Sequence, residues 1–121
     1  MISLLYASVM MQAKITEIDL EEARFALNLQ KQVFEQQGRK ILVISNLTSM
    51  SKISKEARDL AKSPEGQKVD DYILAYALVA PNFLARMMGS MIMGLFKQAY
   101  PIKIFPNEEK AIEWLLAQRN G

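Results

Sequence analysis

Residues Tyr72–Phe96 read YILAYALVAPNFLARMMGSMIMGLF, a stretch of 25 residues with a single charge, at Arg86. Its length alone would suit a membrane-spanning helix. However, the pair Pro81-Asn82 divides it, and such a pair is typical of a turn that ends one element and begins another. The first part mixes β-branched, aromatic and small residues like a buried parallel strand, and residues 83–96 make only about four helical turns. The stretch therefore predicts a strand followed by a helix in a protein that is not transmembrane.

Upstream of this stretch, local signals mark the ends of two helices. Asp19 with Glu22 forms a capping-box pattern, and Gly38 is a natural helix stop. Ser54 can cap the next helix. The predicted upstream elements are a strand within Leu4–Ile15, a helix from Asp19 to about Gln37 with apolar positions that include Leu20, a strand over Lys40–Ile44, a loop over Ser45–Lys52 and a helix over Lys55–Lys62.

Downstream, Pro101–Phe105 predicts a short strand, and Asn107 can cap a final helix whose last turn holds Arg119. Strands and helices thus alternate along the whole chain. Strict alternation implies right-handed crossovers and a mostly parallel sheet covered by helices. We therefore predict an α/β fold, with one domain over residues 1–121 and a mostly parallel sheet of four to five strands.

The composition excludes several kinds of chemistry. The chain has no His and no Cys, which excludes imidazole catalysis, thiolate nucleophiles, disulfides and Cys/His metal sites. Its acidic pairs, such as Glu21-Glu22, are adjacent residues that do not share a helix face. A net charge of +2 without a basic run is unlike a nucleic-acid-binding protein. We predict a non-enzymatic protein with no cofactor, no metal and no nucleic-acid partner, and an enzyme that uses carboxylate, Lys or Tyr chemistry is the remaining alternative. The lack of Cys favours the cytoplasm.

A loop rich in hydroxyl groups follows the second strand, where open parallel sheets place their ligand crevice. Hydroxyls before a helix N-terminus can hold an anion. The same residues are also ordinary turn and cap residues, and this second interpretation is favoured because no Gly-rich phosphate loop accompanies them. The candidate loop residues are Asn46, Thr48, Ser49, Ser51 and Ser54.

The helix after Pro81 is apolar nearly all round and contains four of the eight methionines. A helix that covers an open sheet should be polar on its outer side. Burial within so small a domain is one explanation; the alternatives are a second copy of the chain, a protein partner, a small hydrophobic molecule or a membrane surface. The predicted partner or ligand residues are Phe83, Arg86, Met87, Met88, Met91, Ile92 and Leu95.

Four segments carry a resemblance to a known superfamily: Ile53–Asp59, Ala75–Pro81, Tyr100–Phe105 and Glu108–Leu115. With them the chain resembles the STAS/SpoIIAA-like superfamily, the fold of bacterial anti-sigma-factor antagonists, and looks closest to small stand-alone bacterial members. The resemblance implies an α/β fold and a regulatory or scaffolding role in a bacterial cytoplasm.

One motif of that superfamily is absent. STAS regulators carry an Asp at the end of the central strand and a helix that opens with Asp-Ser-Ser-Gly, whose Ser accepts a phosphate. Here the strand ends in Asn46 and the helix opens as Ser54-Lys55-Glu56-Ala57, so the phosphoacceptor position falls on Glu56, or on Lys55 in a shifted frame.

We therefore expect a non-enzymatic interaction module that forms a homodimer or binds a protein partner through the Met-rich helix. The alternative is a carrier or sensor of a small hydrophobic or lipid-like ligand in a pocket beside that helix, because the SpoIIAA-like fold looks similar to CRAL-TRIO-type lipid carriers.

Overall fold

The structure is a computed structural model that describes residues 17–95 and 100–120. The strand predicted within Leu4–Ile15 lies outside these residues. The described elements are β1 (Glu17–Ile18), α1 (Leu20–Gln37), β2 (Ile41–Asn46), β3 (Lys52–Ile53), α2 (Lys55–Lys62), α3 (Pro64–Gln67), a 3-10 helix (Lys68–Asp71), β4 (Ile73–Val79), α4 (Phe83–Leu95), β5 (Ile102–Phe105) and α5 (Glu108–Asn120).

The main sheet has three parallel strands in the order β2-β4-β5. Strand β4 lies in the centre, where Ala77 pairs with Ile44 of β2 and Leu78 pairs with Ile104 of β5. Strands β1 and β3 form a separate parallel pair of two residues each. The predicted α/β class with parallel strands and alternating helices is confirmed. Within residues 17–95 and 100–120, however, the strands form two small sheets and not the single larger sheet that was predicted.

Helices cover both faces of the main sheet. Helix α5 packs on one face, where Ala111 and Leu115 are fully buried against Leu42 and Ile44 of β2. Helices α1, α2 and α4 contribute to the core on the opposite face. Because β4 is sandwiched between these layers, nearly all of its side chains are buried, which explains its continuous apolar sequence.

The predicted helix caps are confirmed. The Asp19 carboxylate accepts a hydrogen bond from the Glu22 amide at 2.9 Å, and Gly38 ends α1 with a left-handed φ of 68°. The Ser54 hydroxyl accepts from the Ala57 amide at 3.1 Å, and the Asn107 side chain accepts from the Lys110 amide at 2.9 Å. These short-range bonds satisfy amides that a helix start leaves unpaired.

Two sequence predictions are wrong in detail. The loop was placed over Ser45–Lys52, but Ser45 and Asn46 belong to β2 and Lys52 belongs to β3. Ser45 is buried and shares a hydrogen bond of 2.6 Å with the Tyr76 hydroxyl. A buried strand tolerates Ser there because its polar group has a partner. Leu20 was placed on the buried side of α1, but it is 39% exposed in the first turn.

Candidate functional site

Helix α4 begins where the turn after β4 supplies a cap. The Asn82 side chain accepts a hydrogen bond from the Ala85 amide at 2.9 Å. One side of the helix then lies on the sheet, with Ala85, Met88 and Ile92 buried in the core. Gly89 permits this close approach: a Cβ atom there would lie 3.1 Å from the Ile104 side chain on β5. These four positions follow the spacing of one helix face.

The other side of α4 is apolar and exposed. Phe83 is 70% exposed, Leu84 44%, Met87 50% and Met91 37%. Their spacing places them together on the face opposite Ala85 and Gly89. We call these four residues the α4 outer stripe. Scattered single apolar residues are ordinary on a protein surface, but four large ones on one helix face form a patch typical of an interaction site.

The structure divides the residues that were predicted to bind a partner. Phe83, Met87 and Met91 belong to the outer stripe, and Arg86 is exposed beside it. Met88 and Ile92 are corrections: they are 7% and 6% exposed and face the core, because they share the helix face of Ala85 and Gly89.

Leu95 and Leu84 also depart from the predicted set. Leu95 is half-buried and lines a cavity between α1, α2 and the main sheet. Leu84 was not among the predicted partner residues, although it belongs to the outer stripe. A polar outer face would have distinguished the two sides of α4, and this helix lacks one.

The loop after β2 is held by internal hydrogen bonds. The side-chain oxygen Oδ1 of Asn46 accepts hydrogen bonds from the Thr48 amide at 2.9 Å and also from the Thr48 hydroxyl. Ser54 caps α2, while Ser49 and Ser51 are exposed. Three of the five candidate loop residues therefore have the turn and cap roles that the sequence favoured.

A carboxylate lies beside this loop. Glu108, in the first turn of α5, accepts a hydrogen bond from the Asn46 side-chain amide at 2.9 Å. Its negative charge complements the positive N-terminal end of α5, which is a different helix end from the one that Ser54 caps. A carboxylate hydrogen-bonded to Asn46 disfavours a bound anion at the carboxyl end of β2.

A mainly apolar cavity of about 90 Å³ lies between α1, α2 and the main sheet. Small side chains on the two helices leave this space, among them Ala23 and Ala26 of α1 and Ala57 and Ala61 of α2. Glu22 lines the cavity and is itself exposed, so the cavity reaches solvent near the start of α1.

Two buried polar side chains also line the cavity. Gln30 is 8% exposed and Tyr100 is 5% exposed. Within the described part of the chain, neither the Gln30 side-chain carbonyl oxygen nor the Tyr100 hydroxyl has a hydrogen-bond partner. Burial raises the pKa of Tyr100 above its ordinary value, and the neighbouring Tyr76 and Asp70 act in the same direction. The Tyr100 hydroxyl is therefore a neutral group that can both donate and accept.

The sequence prediction missed this pair. It assigned the glutamines of α1 to the polar face of the helix. Gln30 nevertheless lies three residues after Leu27 and seven residues after Ala23. This is the spacing of residues on the buried face of α1. A glutamine within an apolar stripe was the available signal, because a buried amide needs a partner.

Comparison with known sequences identifies a family. Residues 8–119 match the family that is described as Domain of unknown function (DUF7793). The chain belongs to this family. Comparisons with curated proteins and with solved structures find no match.

The described residues offer neither a membrane span nor a metal site. No helix within residues 17–95 and 100–120 is long and apolar enough to cross a membrane. Over the same ranges, no group of three His, Cys, Asp or Glu side chains is arranged to hold a metal ion.

Proposed function

We propose that this protein is a non-enzymatic, STAS-like interaction module of a bacterial cytoplasm, and that it self-associates through the α4 outer stripe. The observation that carries the proposal is the exposure of Phe83, Leu84, Met87 and Met91 on one face of a helix whose other face is already packed. The fold does not need this outer face to remain apolar, because Met88 and Ile92 supply the contact with the core.

A second copy of the chain is the partner that suits this surface best. A two-fold axis brings the same patch of each copy together, so an apolar stripe meets an identical apolar stripe. Interfaces of homodimers are more apolar than transient interfaces between different proteins. Residues 83–95 contain one charged residue, Arg86, and no acidic residue that would pair with a basic partner. Gly94, where a Cβ would meet nothing within 4 Å, adds room for close helix contact.

The expected affinity is modest. Covering the exposed parts of the four side chains is worth roughly 3–6 kcal/mol for each copy, taking about 1.5–3 kcal/mol for a fully buried side chain. Association itself costs about 4–15 kcal/mol in lost freedom of motion. The two copies together gain about 6–12 kcal/mol, which exceeds the lower estimates of the association cost by up to about 8 kcal/mol, so we expect a dimer with a dissociation constant in the micromolar to millimolar range.

The STAS-like part of the proposal is supported by the resemblance of Ile53–Asp59 and three other segments, and by the alternation of helices with parallel strands. The superfamily's phosphoacceptor position holds Glu56 or Lys55, so the proposed role does not include a phosphorylation switch at that site. Regulation would instead depend on how much of the protein is dimeric.

Sedimentation velocity from 10 µM to 1 mM, compared between the wild type and Met91→Lys, tests the proposal. A charged side chain cannot leave water at an apolar interface without a large cost, so we expect the dissociation constant to rise at least about thirtyfold. Ala117→Lys, on the exposed side of α5, adds the same charge elsewhere and serves as the control. A wild type that stays monomeric over the whole range contradicts the proposal, and so does equal weakening by the two substitutions.

A further inference from the structure

The size of the cavity between α1, α2 and the main sheet restricts what it can hold. Sites for drug-sized ligands occupy about 300–1,000 Å³, whereas an engineered cavity of about 150 Å³ binds benzene. At about 90 Å³ this cavity is nearer to the second case. Its size therefore suits a molecule of about one aromatic ring better than a lipid chain.

The residues that line the cavity restrict the chemical groups that a ligand can carry. Its lining is apolar apart from a few side chains, of which Gln30 and Tyr100 are buried and keep unpaired polar atoms. The Gln30 carbonyl oxygen requires a donor, and the Tyr100 hydroxyl can donate or accept. A ligand hydroxyl group suits both kinds of atom, because it donates through its hydrogen and accepts through its oxygen.

Charge excludes ionic ligands. Asp70 is close enough to Tyr100 to affect its ionisation, so an anionic group would meet a carboxylate in a buried environment. Glu22 is the only acidic residue that lines the cavity among the described residues, and it is exposed to water at one end. A buried cation is also disfavoured, because Asp70 does not line the cavity and the mainly apolar lining cannot offset the loss of the cation's hydration.

We propose that this cavity is a binding site for a small, neutral, ring-sized apolar molecule that carries one hydroxyl group, held by hydrogen bonds to Gln30 and Tyr100. The site is separate from the proposed dimer contact, because α4 contributes Ile92 from its core-facing side and Leu95 from its C-terminal end, and none of the four outer-stripe residues lines the cavity. Occupancy satisfies two polar atoms whose burial without a partner is costly.

Phenol and toluene test the proposal, since they have nearly the same shape and differ in the hydroxyl group. Binding is measured by titrating each compound into ¹⁵N-labelled protein and following amide shifts around the cavity. We expect phenol to bind about tenfold more tightly than toluene, which corresponds to about 1.4 kcal/mol for hydrogen bonds to buried groups. Tyr100→Phe and Gln30→Leu should each reduce this preference towards unity while leaving toluene binding nearly unchanged.

Three further variants locate the site. Tyr72→Phe removes a hydroxyl from a ring that packs on Phe34 and does not line the cavity, so it should keep the preference for phenol. Ala26→Leu extends a side chain into the cavity and should abolish binding of both compounds. Phe83→Lys, in the outer stripe at the end of α4 away from Leu95, should leave phenol binding unchanged, which separates this site from the dimer proposal.

Three results would overturn the inference. The first is that neither tens of millimolar phenol nor saturating toluene changes the amide shifts around the cavity. This result would indicate a cavity that is closed or holds only water. The second is equal affinity for both compounds, which would indicate an apolar void without hydroxyl recognition. The third is a preference for phenol that survives in both Tyr100→Phe and Gln30→Leu.

Discussion

Met87 and Met88 are neighbours of identical chemistry, yet half of Met87 is exposed while Met88 is 7% exposed in the core. The same contrast separates Gly94, with nothing near it, from Gly89, which lies against Ile104. Composition therefore does not determine burial along α4. The inner face contributes to folding, and the outer face is apolar without contributing to it.

This contrast has a physical explanation in the fold. A helix on an open sheet buries one stripe, and β4 and β5 are covered once Ala85, Met88 and Ile92 are in place. Apolar residues on the remaining face gain nothing from the monomer's own core. Mutations on the two faces of this helix should consequently change the free energy of unfolding by very different amounts.

Truncating each methionine gives the largest expected difference. Met88→Ala removes core contacts and leaves a void, so the free energy of unfolding should fall by about 2–4 kcal/mol. Met87→Ala should change it by no more than about 0.5 kcal/mol. Urea denaturation at a few micromolar, where the monomer should predominate, measures both. Similar losses would show that the outer face is also packed in the folded monomer.

The two glycines give the next largest difference. Gly89→Val forces new atoms against Ile104 and Leu47, and overpacking of this kind costs about 1–3 kcal/mol. Gly94→Ala meets no neighbour within 4 Å and should stabilise the monomer by about 0.5–1 kcal/mol through higher helix propensity. The same denaturation experiment measures both variants. If Gly89→Val proves neutral, the close approach of α4 to β5 is not a requirement of the fold.

The parts of the structure that the sequence predicted correctly depend on local signals. Asp19, Ser54 and Asn107 mark helix starts because each side chain bonds an amide three residues away, and Gly38 marks an end because of its left-handed backbone. Strand β4 was recognisable because burial on both faces gives a continuous apolar run.

The parts that the sequence did not predict depend on contacts between distant residues. The burial of Met88 in place of Met87 is set by the packing of α4 against β5, and an all-apolar helix gives no indication of it. The cavity arises from alanines on two separate helices. Gln30 and Tyr100 both line this cavity although they are far apart in the chain. Only the position of Gln30 within the apolar spacing of α1 was visible in advance.

The smallest expected effect is a difference in pH dependence between the α4 outer stripe and the cavity that Tyr100 lines. Phe83, Leu84, Met87 and Met91 carry no ionisable group, so self-association through them should be constant at neutral to mildly alkaline pH. On the cavity side, burial holds the pKa of Tyr100 above its ordinary value of about 10. The folded protein therefore keeps the Tyr100 proton at pH values where the unfolded chain has lost it.

The sign of the effect follows from this difference in proton binding. A pKa that is raised in the folded state contributes stability that is fully present below about pH 10 and is lost as the pH rises above it. Between pH 10 and 11 the wild type should lose up to about 1 kcal/mol more unfolding free energy than Tyr100→Phe, in which this group is absent. Urea denaturation of the two proteins at pH 9, 10 and 11 measures the difference, with Tyr72→Phe as the control. Parallel pH curves for wild type and Tyr100→Phe would mean that the Tyr100 hydroxyl reaches water in the folded protein, and the cavity would then be more open on that side than its lining indicates.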